Sequence, residues 1–147
     1  MKNEKPFILL FVILAVAFSA SSCVSIQPAG EEQMFEVIEL INAGDSENLA
    51  ARSTDTFMLD SEILHNPKLI KNLWEGLAES SFKITNPVIF TNRRLLPTDR
   101  IFFGNNVEVD AFFERYVPEK ASLFEIKTDS GKYLFILGPS DIGKSTI

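Results

Sequence analysis

The chain has 147 residues and a formal net charge of −6, with 14 basic against 20 acidic residues. This length suits one domain with a real core. Nucleic-acid-binding domains are typically rich in basic residues, whereas acidic residues are in excess here. We therefore expect no nucleic-acid partner.

The N-terminus has the order of segments of a secretory signal peptide. Lys2 and Lys5 provide a basic start, Phe7–Phe18 is an unbroken apolar run, and Ser19–Ser22 holds small residues. The apolar run has about twelve residues, short of the roughly 20 that a membrane-spanning helix needs. This favours a signal peptide over residues 1–22, and a plain transmembrane anchor is the weaker alternative.

The only cysteine of the chain, Cys23, directly follows the small residues. A single cysteine in an exported protein cannot form an internal disulfide. The local sequence SASSC resembles the lipobox of bacterial lipoproteins, in which a peptidase cuts before the cysteine. In that family the sulfur carries diacylglycerol and the new amino group is acylated. The family prefers Leu where this chain has Ala20, and the alternative interpretation is ordinary secretion with a stray thiol.

The lipobox resemblance implies attachment to a membrane through acyl chains such as palmitate. Two or more chains hold a protein firmly, whereas a single one is marginal. The family usually marks inner-membrane retention by Asp after the cysteine, and Val24 and Ser25 here imply the outer membrane. The apolar residues of the segment Val24–Gln33 show neither helical nor strand periodicity, which predicts a tether. We therefore assign residues 23–33 to the lipidated cysteine and tether, and residues 34–147 to one domain.

Two helices and a hairpin are predicted after the tether. Apolar residues share one face of the first helix: Met34, Phe35, Ile38 and Ile41. Glu31 and Glu32 favour its N-terminal end, and Gly44 ends it. Asp45 is a plausible N-cap for a second helix through about Arg52. The residues TDTFMLDSEIL predict a strand pair with a tight turn near Asp60-Ser61.

The segment NPKLIKNLWEGLAES predicts the clearest helix. Asn66 caps it and Pro67 takes its first position. An apolar stripe follows at helical spacing: Leu69, Ile70, Leu73, Trp74 and Leu77. The period then changes to two, and alternating apolar residues predict a strand: Phe82, Ile84, Val88 and Phe90. Because Pro87 lacks a backbone donor, we expect this strand at a sheet edge or with a bulge.

The last third of the chain favours antiparallel strands. RIFFGNNVEVDAFF fits a hairpin around Gly104–Asn106. Val109, Phe112, Phe113 and Tyr116 also fit a helix, so both interpretations stay open. A hairpin is predicted from Leu123–Thr128 through Asp129–Gly131 to Tyr133–Leu137. Helices followed by strands predict an α+β fold, with N-terminal helices packed on a curved, mainly antiparallel sheet.

The element order and the phrase INAGDSENLAARSTDTFML resemble the cone-shaped family of nuclear transport factor 2 and the ketosteroid isomerases. The resemblance covers Glu31 to about Pro139. It implies an apolar pocket and, in the isomerases, an Asp base beside an oxyanion site. Asp110 would match that base if its segment were a strand pointing it inward; the alternative is a solvated outward residue. A different lipoprotein α+β fold is the competing interpretation.

Residues Gly138 to Ser145 satisfy the phosphate-loop pattern, with Gly138, Gly143, Lys144 and Ser145 at its defining places. The stretch resembles the loop of nucleoside-monophosphate kinases and transport ATPases, which would put Lys144 on phosphate and Ser145 on magnesium. Only two residues follow Ser145, so no helix completes the site. An export signal would also direct the protein to a compartment that has no supply of nucleoside triphosphates. We interpret the motif as a chance match and expect no nucleotide and no cofactor; a chain truncated from a longer fusion would reopen the question.

His65 is the only histidine and has Asp60 and Glu62 nearby. A zinc site needs more ligands than this, so we expect no metal, and the sequence contains no nucleophile signature. We expect a non-enzymatic outer-membrane lipoprotein, similar to small bacterial antigenic lipoproteins. Its role would be structural in the envelope, as a surface antigen, or in binding an envelope or host protein. The alternative is a lipid-anchored cone-fold domain that binds a small apolar ligand, with or without enzymatic activity.

Overall fold

The computed structural model describes residues 28–59 and 61–139. The signal segment, Cys23, Gly143, Lys144 and Ser145 lie outside the described residues. The helices are α1 (Glu31–Ala43), α2 (Ser46–Arg52), α3 (Pro67–Glu79), a 3-10 helix (Pro97–Phe102) and α4 (Val107–Arg115). The strands are β1 (Phe57–Leu59), β2 (Glu62–Leu64), β3 (Val88–Arg94), β4 (Ser122–Thr128) and β5 (Gly131–Leu137).

The predicted α+β class is confirmed, with helices placed N-terminal to an antiparallel sheet. β1 and β2 form a two-stranded hairpin, and β3, β4 and β5 form a three-stranded sheet in that order. Both sheets are antiparallel. Within residues 28–59 and 61–139, none of the helices has the length and apolar character required to cross a membrane.

The predicted helix ends are confirmed because local capping groups fix them. Gly44 ends α1 with a φ of 68°, a left-handed conformation that glycine adopts without strain. The Asp45 carboxylate accepts a hydrogen bond from the Asn48 N–H at 3.1 Å and caps α2. Asn66 caps α3 by accepting from the Lys68 N–H at 2.8 Å. These groups satisfy backbone donors that the helices leave free.

One residue of the predicted α1 face lies elsewhere. Met34, Ile38 and Ile41 are buried as expected, but Phe35 is 41% exposed. Val37 is fully buried in its place. The expected inward position of Phe35 is therefore wrong, because the packed stripe of α1 is rotated toward Val37.

The strand predicted from Phe82 onward begins only at Val88. The backbone of Ile84 is instead paired with a side chain: the Asn42 amide donates to the Ile84 carbonyl at 2.9 Å and accepts from its N–H at 2.7 Å. The expectation for the rest is confirmed, since β3 is an edge strand whose register shifts between Ile89 and Thr91. Ile84 thus joins the core without belonging to a sheet.

The hairpin interpretation of residues 100–113 is wrong, and the helical alternative is correct for residues 107–115. Asn106 accepts a hydrogen bond from the Val109 N–H at 2.8 Å and caps α4. Val109 and Phe112, three positions apart, form the buried face. The period of two was a coincidence of apolar residues that the helix distributes around its axis.

In the part of the chain that the structure describes, the buried apolar side chains form two clusters. The larger lies between the helices and the sheet and includes Met34, Trp74, Phe124 and Ile126. The smaller is built on Leu95, Ala121 and Leu123, with partly buried side chains packed on it: Phe103, Phe113, Val117 and Ile136. Leu123 lies in β4 between the two residues Ser122 and Phe124, so the two clusters occupy opposite faces of the same strand.

Candidate functional site

An apolar cavity of about 130 Å³ lies between the β1–β2 hairpin, the three-stranded sheet and α4. Six of its residues come from two strands: Phe57, Met58 and Leu59 of β1, and Leu134, Phe135 and Ile136 of β5. The other lining residues are Thr54, Trp74, Phe103, Phe112, Tyr116, Val117, Pro118 and Gly138. No lining residue carries a charge, so the cavity suits a neutral apolar group.

The cavity meets β1 and β5 along their edges. Successive side chains of a strand point to opposite faces, so a cavity on one face would touch only alternate residues. Three consecutive residues line it from each strand. One edge of β5 is paired with β4, and one edge of β1 is paired with β2. The cavity therefore lies against the other edge of each strand.

Aromatic packing shapes the cavity walls. The rings of Phe57 and Trp74 meet edge to face with centroids 5.7 Å apart, and those of Phe112 and Tyr116 are 5.9 Å apart. The indole N–H of Trp74 donates to the Ser53 hydroxyl at 2.9 Å. Such a partner is what a buried indole requires. The cavity walls are therefore held by contacts between aromatic rings and by the hydrogen bond from the Trp74 indole to Ser53.

The position of Asp110 does not match the isomerase base that the cone-fold resemblance implies. Asp110 lies in α4, and its Oδ1 forms an ion pair with Arg100 Nε at 3.0 Å. Its side chain is 43% exposed, and it does not line the cavity. The outward, solvated alternative is the correct one for this residue.

The ion pair between Arg93 and the buried Asp99 lies outside the cavity lining. Asp99 is buried and accepts from both terminal nitrogens of Arg93, at 2.7 and 2.8 Å, and from the Leu96 N–H at 2.8 Å. The hydrogen bonds from Arg93 hold the pKa of Asp99 below its ordinary value and raise that of Arg93. This pair connects β3 to the 3-10 helix, so the sequence Asn92-Arg93-Arg94 includes a structural arginine.

The other residues singled out from the sequence lie apart. His65 is exposed, with its ring centroid 6.1 Å from that of Tyr116. The described part of the chain holds no group of three His, Cys, Asp or Glu residues placed to bind a metal. Gly138 is buried and lines the cavity. Cys23 and the remaining phosphate-loop residues, Gly143, Lys144 and Ser145, are outside the described ranges.

Comparisons with known proteins add no assignment: no family model matches the chain, and no curated protein or solved structure matches it either.

The sequence predicts the apolar side chains of this region as core, with Trp74 in the stripe of α3 and β5 as the last strand. These residues surround a cavity only because the fold holds β5 and β1 at a particular distance from each other. Along the chain the two strands are far apart, since β1 ends at Leu59 and β5 begins at Gly131, 72 positions later. No local pattern encodes that distance, so no sequence signal identifies the cavity.

Proposed function

We propose that this chain is a lipid-anchored outer-membrane lipoprotein with a non-enzymatic, partner-binding role in the cell envelope. The observation that carries the proposal is the order of residue types from Lys2 to Cys23: a basic start, a short apolar run, small residues and a lone cysteine. Lipid attached to Cys23 accounts for the only thiol. The residues that follow Cys23 connect the lipid to the domain; because α1 begins at Glu31 and Ala29 is already in the core, the predicted tether through residue 33 ends too late.

Exposed apolar side chains support the partner-binding part. Ile101 is 68% exposed, Phe102 57% and Val107 83%, all within seven consecutive residues. Apolar patches on a surface are typical of contacts with another protein, and these three exposed side chains are close together along the chain. The Arg93–Asp99 pair holds the 3-10 helix that carries two of them. A partner that covers this segment would remove its apolar area from water.

Binding of a small apolar ligand is the second candidate, and the apolar cavity favours it. We place it second because the cavity volume of about 130 Å³ is below the roughly 300–1,000 Å³ of small-molecule sites. The position of Asp110 in an exposed ion pair also removes the residue that would have suggested an acid–base reaction.

The anchor is tested by mass spectrometry of the mature N-terminus and by fractionation of a Cys23→Ser variant. We expect an acylated Cys23 as the first residue of the native protein. The variant should escape cleavage at this position and lose its acyl-dependent membrane attachment, whereas the matched Ser25→Ala variant should behave as the native chain. A Cys23→Ser protein that is processed identically and stays as firmly with the membrane would overturn the proposal.

A further inference from the structure

We propose that the cavity between β1 and β5 is a binding site for one small neutral molecule with a single apolar ring. The proposal names the ligand class of the second candidate function and rests on it. It depends neither on lipid at Cys23 nor on a protein partner.

The size of the cavity sets the upper limit for the ligand. Its volume is about 130 Å³, and an apolar cavity of about 150 Å³ engineered into another protein stays free of water and binds one benzene molecule. Drug-sized ligands need several times this space. The cavity between β1 and β5 therefore has room for one ring with a short substituent, and such a ligand has no tightly held water to displace.

The chemistry of the lining selects a neutral ligand. None of the described lining residues is acidic or basic, and the oxygen and nitrogen atoms of their side chains belong to Thr54, Tyr116 and Trp74. The Thr54 hydroxyl already donates to the Thr56 carbonyl, and the Trp74 indole donates to the Ser53 hydroxyl. A carboxylate or an ammonium group would lose its hydration here without gaining an ionic partner. An apolar ring loses nothing of this kind and is removed from water.

The cavity has a buried side and a side near the surface. Phe57, Trp74 and Phe112 are buried, and their rings line the inner side. Leu59 and Tyr116 also line the cavity but are 42% and 44% exposed, so they mark the side from which a ligand enters. An aromatic ligand that reaches the inner side meets ring edges and faces, and such contacts add to the gain from burial.

The test follows one signal from the cavity wall. Trp74 is the only tryptophan of the chain, so its indole N–H gives a single, identifiable NMR resonance. The full chain in lipid nanodiscs is dialysed against benzene, toluene, benzoate or mesitylene, and the dialysis fixes the free concentration of each. We expect benzene and toluene to shift the indole resonance saturably, with a Kd below about 1 mM.

Two ligands of the series act as matched controls. Benzoate is similar in size to toluene but charged, and mesitylene is neutral but broader by two methyl groups. Each should bind weaker than toluene by about tenfold or more. Because the added methyl groups make mesitylene more hydrophobic than toluene, its weaker binding would report the size limit and not its transfer from water.

Variants of the protein check the location. Leu134→Phe narrows the cavity and should weaken toluene binding by about tenfold or more. Val88→Phe adds the same ring at a 61% exposed position of β3 outside the lining and should leave binding unchanged. Leu134→Ala enlarges the cavity and should let mesitylene bind. None of these variants adds a second tryptophan, and the ligand series on the native chain stands even if a variant fails to fold.

Four outcomes would overturn the proposal. No ligand shifts the indole resonance saturably; benzoate binds as tightly as toluene; Val88→Phe weakens toluene binding as much as Leu134→Phe; or mesitylene binds to the native chain as tightly as toluene. The last outcome would remove the single-ring limit and leave the second candidate function standing. None of the four bears on the acylation of Cys23, so failure here is distinguishable from failure of the lipoprotein proposal.

Discussion

Replacing Asp99 by Asn should destabilise the domain by about 2 kcal/mol, because it removes the buried charge that pairs with Arg93. The carboxylate side chain is 6% exposed and accepts three hydrogen bonds, two from Arg93 and one from the Leu96 N–H. Breaking a fully buried pair costs about 3–5 kcal/mol. Arg93 is 41% exposed, so its guanidinium regains water in the variant and the loss falls to about 2 kcal/mol, near that of one charge-assisted hydrogen bond.

The Arg93–Asp99 contact also contributes to the free energy of unfolding in a pH-dependent way, and the contribution is larger at neutral pH than in acid. The pKa of Asp99 is lowered in the folded chain, chiefly by the hydrogen bonds from Arg93. A carboxyl with a lowered folded pKa adds stability above its unfolded pKa of about 3.9. That contribution is lost as the pH falls through the folded pKa. The stability difference between native and Asp99→Asn proteins should therefore be full at pH 7 and shrink below about pH 4.

The measurement is urea unfolding followed by circular dichroism at several pH values. Asp110→Asn is the matched control, because Asp110 also pairs with an arginine but its side chain is 43% exposed. An exposed pair contributes about 0–1 kcal/mol, so the control should lose less than about 1 kcal/mol. Equal losses in the two variants, or an Asp99→Asn loss that stays constant down to pH 2, would refute the reasoning.

Two further predictions concern the C-terminal end of α1. Asn42→Ala leaves the N–H and C=O of Ile84 without their partner and should cost about 2 kcal/mol in urea unfolding; an unchanged free energy of unfolding would contradict this account. Gly44→Ala forces a side chain into a left-handed conformation with a φ of 68° and should lower the free energy of unfolding by about 1–2 kcal/mol. Gly44→Asn should lose less, because Asn tolerates this conformation, and an unchanged melting temperature for Gly44→Ala would count against the argument.

The sequence by itself determined the features that neighbouring residues control. Gly44, Asp45 and Asn66 mark helix ends because each acts on backbone groups within a few positions of itself. The β4–β5 hairpin was predictable because its two strands are joined by a short turn. The α+β class followed from the order of these elements, and the edge position and bulge of β3 followed from Pro87. The export signal and lipid at Cys23 also come from sequence, and they stay predictions.

The tertiary structure decided what depends on distant partners. Residues 107–113 satisfied both periods, and the tertiary structure, which buries Val109 and Phe112 on one face, has the helix. Phe82 and Ile84 alternate like a strand, yet the Asn42 side chain takes the backbone bonds of Ile84 from 42 positions away. The cavity exists because β1 and β5 approach without pairing. Their separation results from the packing of the whole domain, and no stretch of residues specifies it alone.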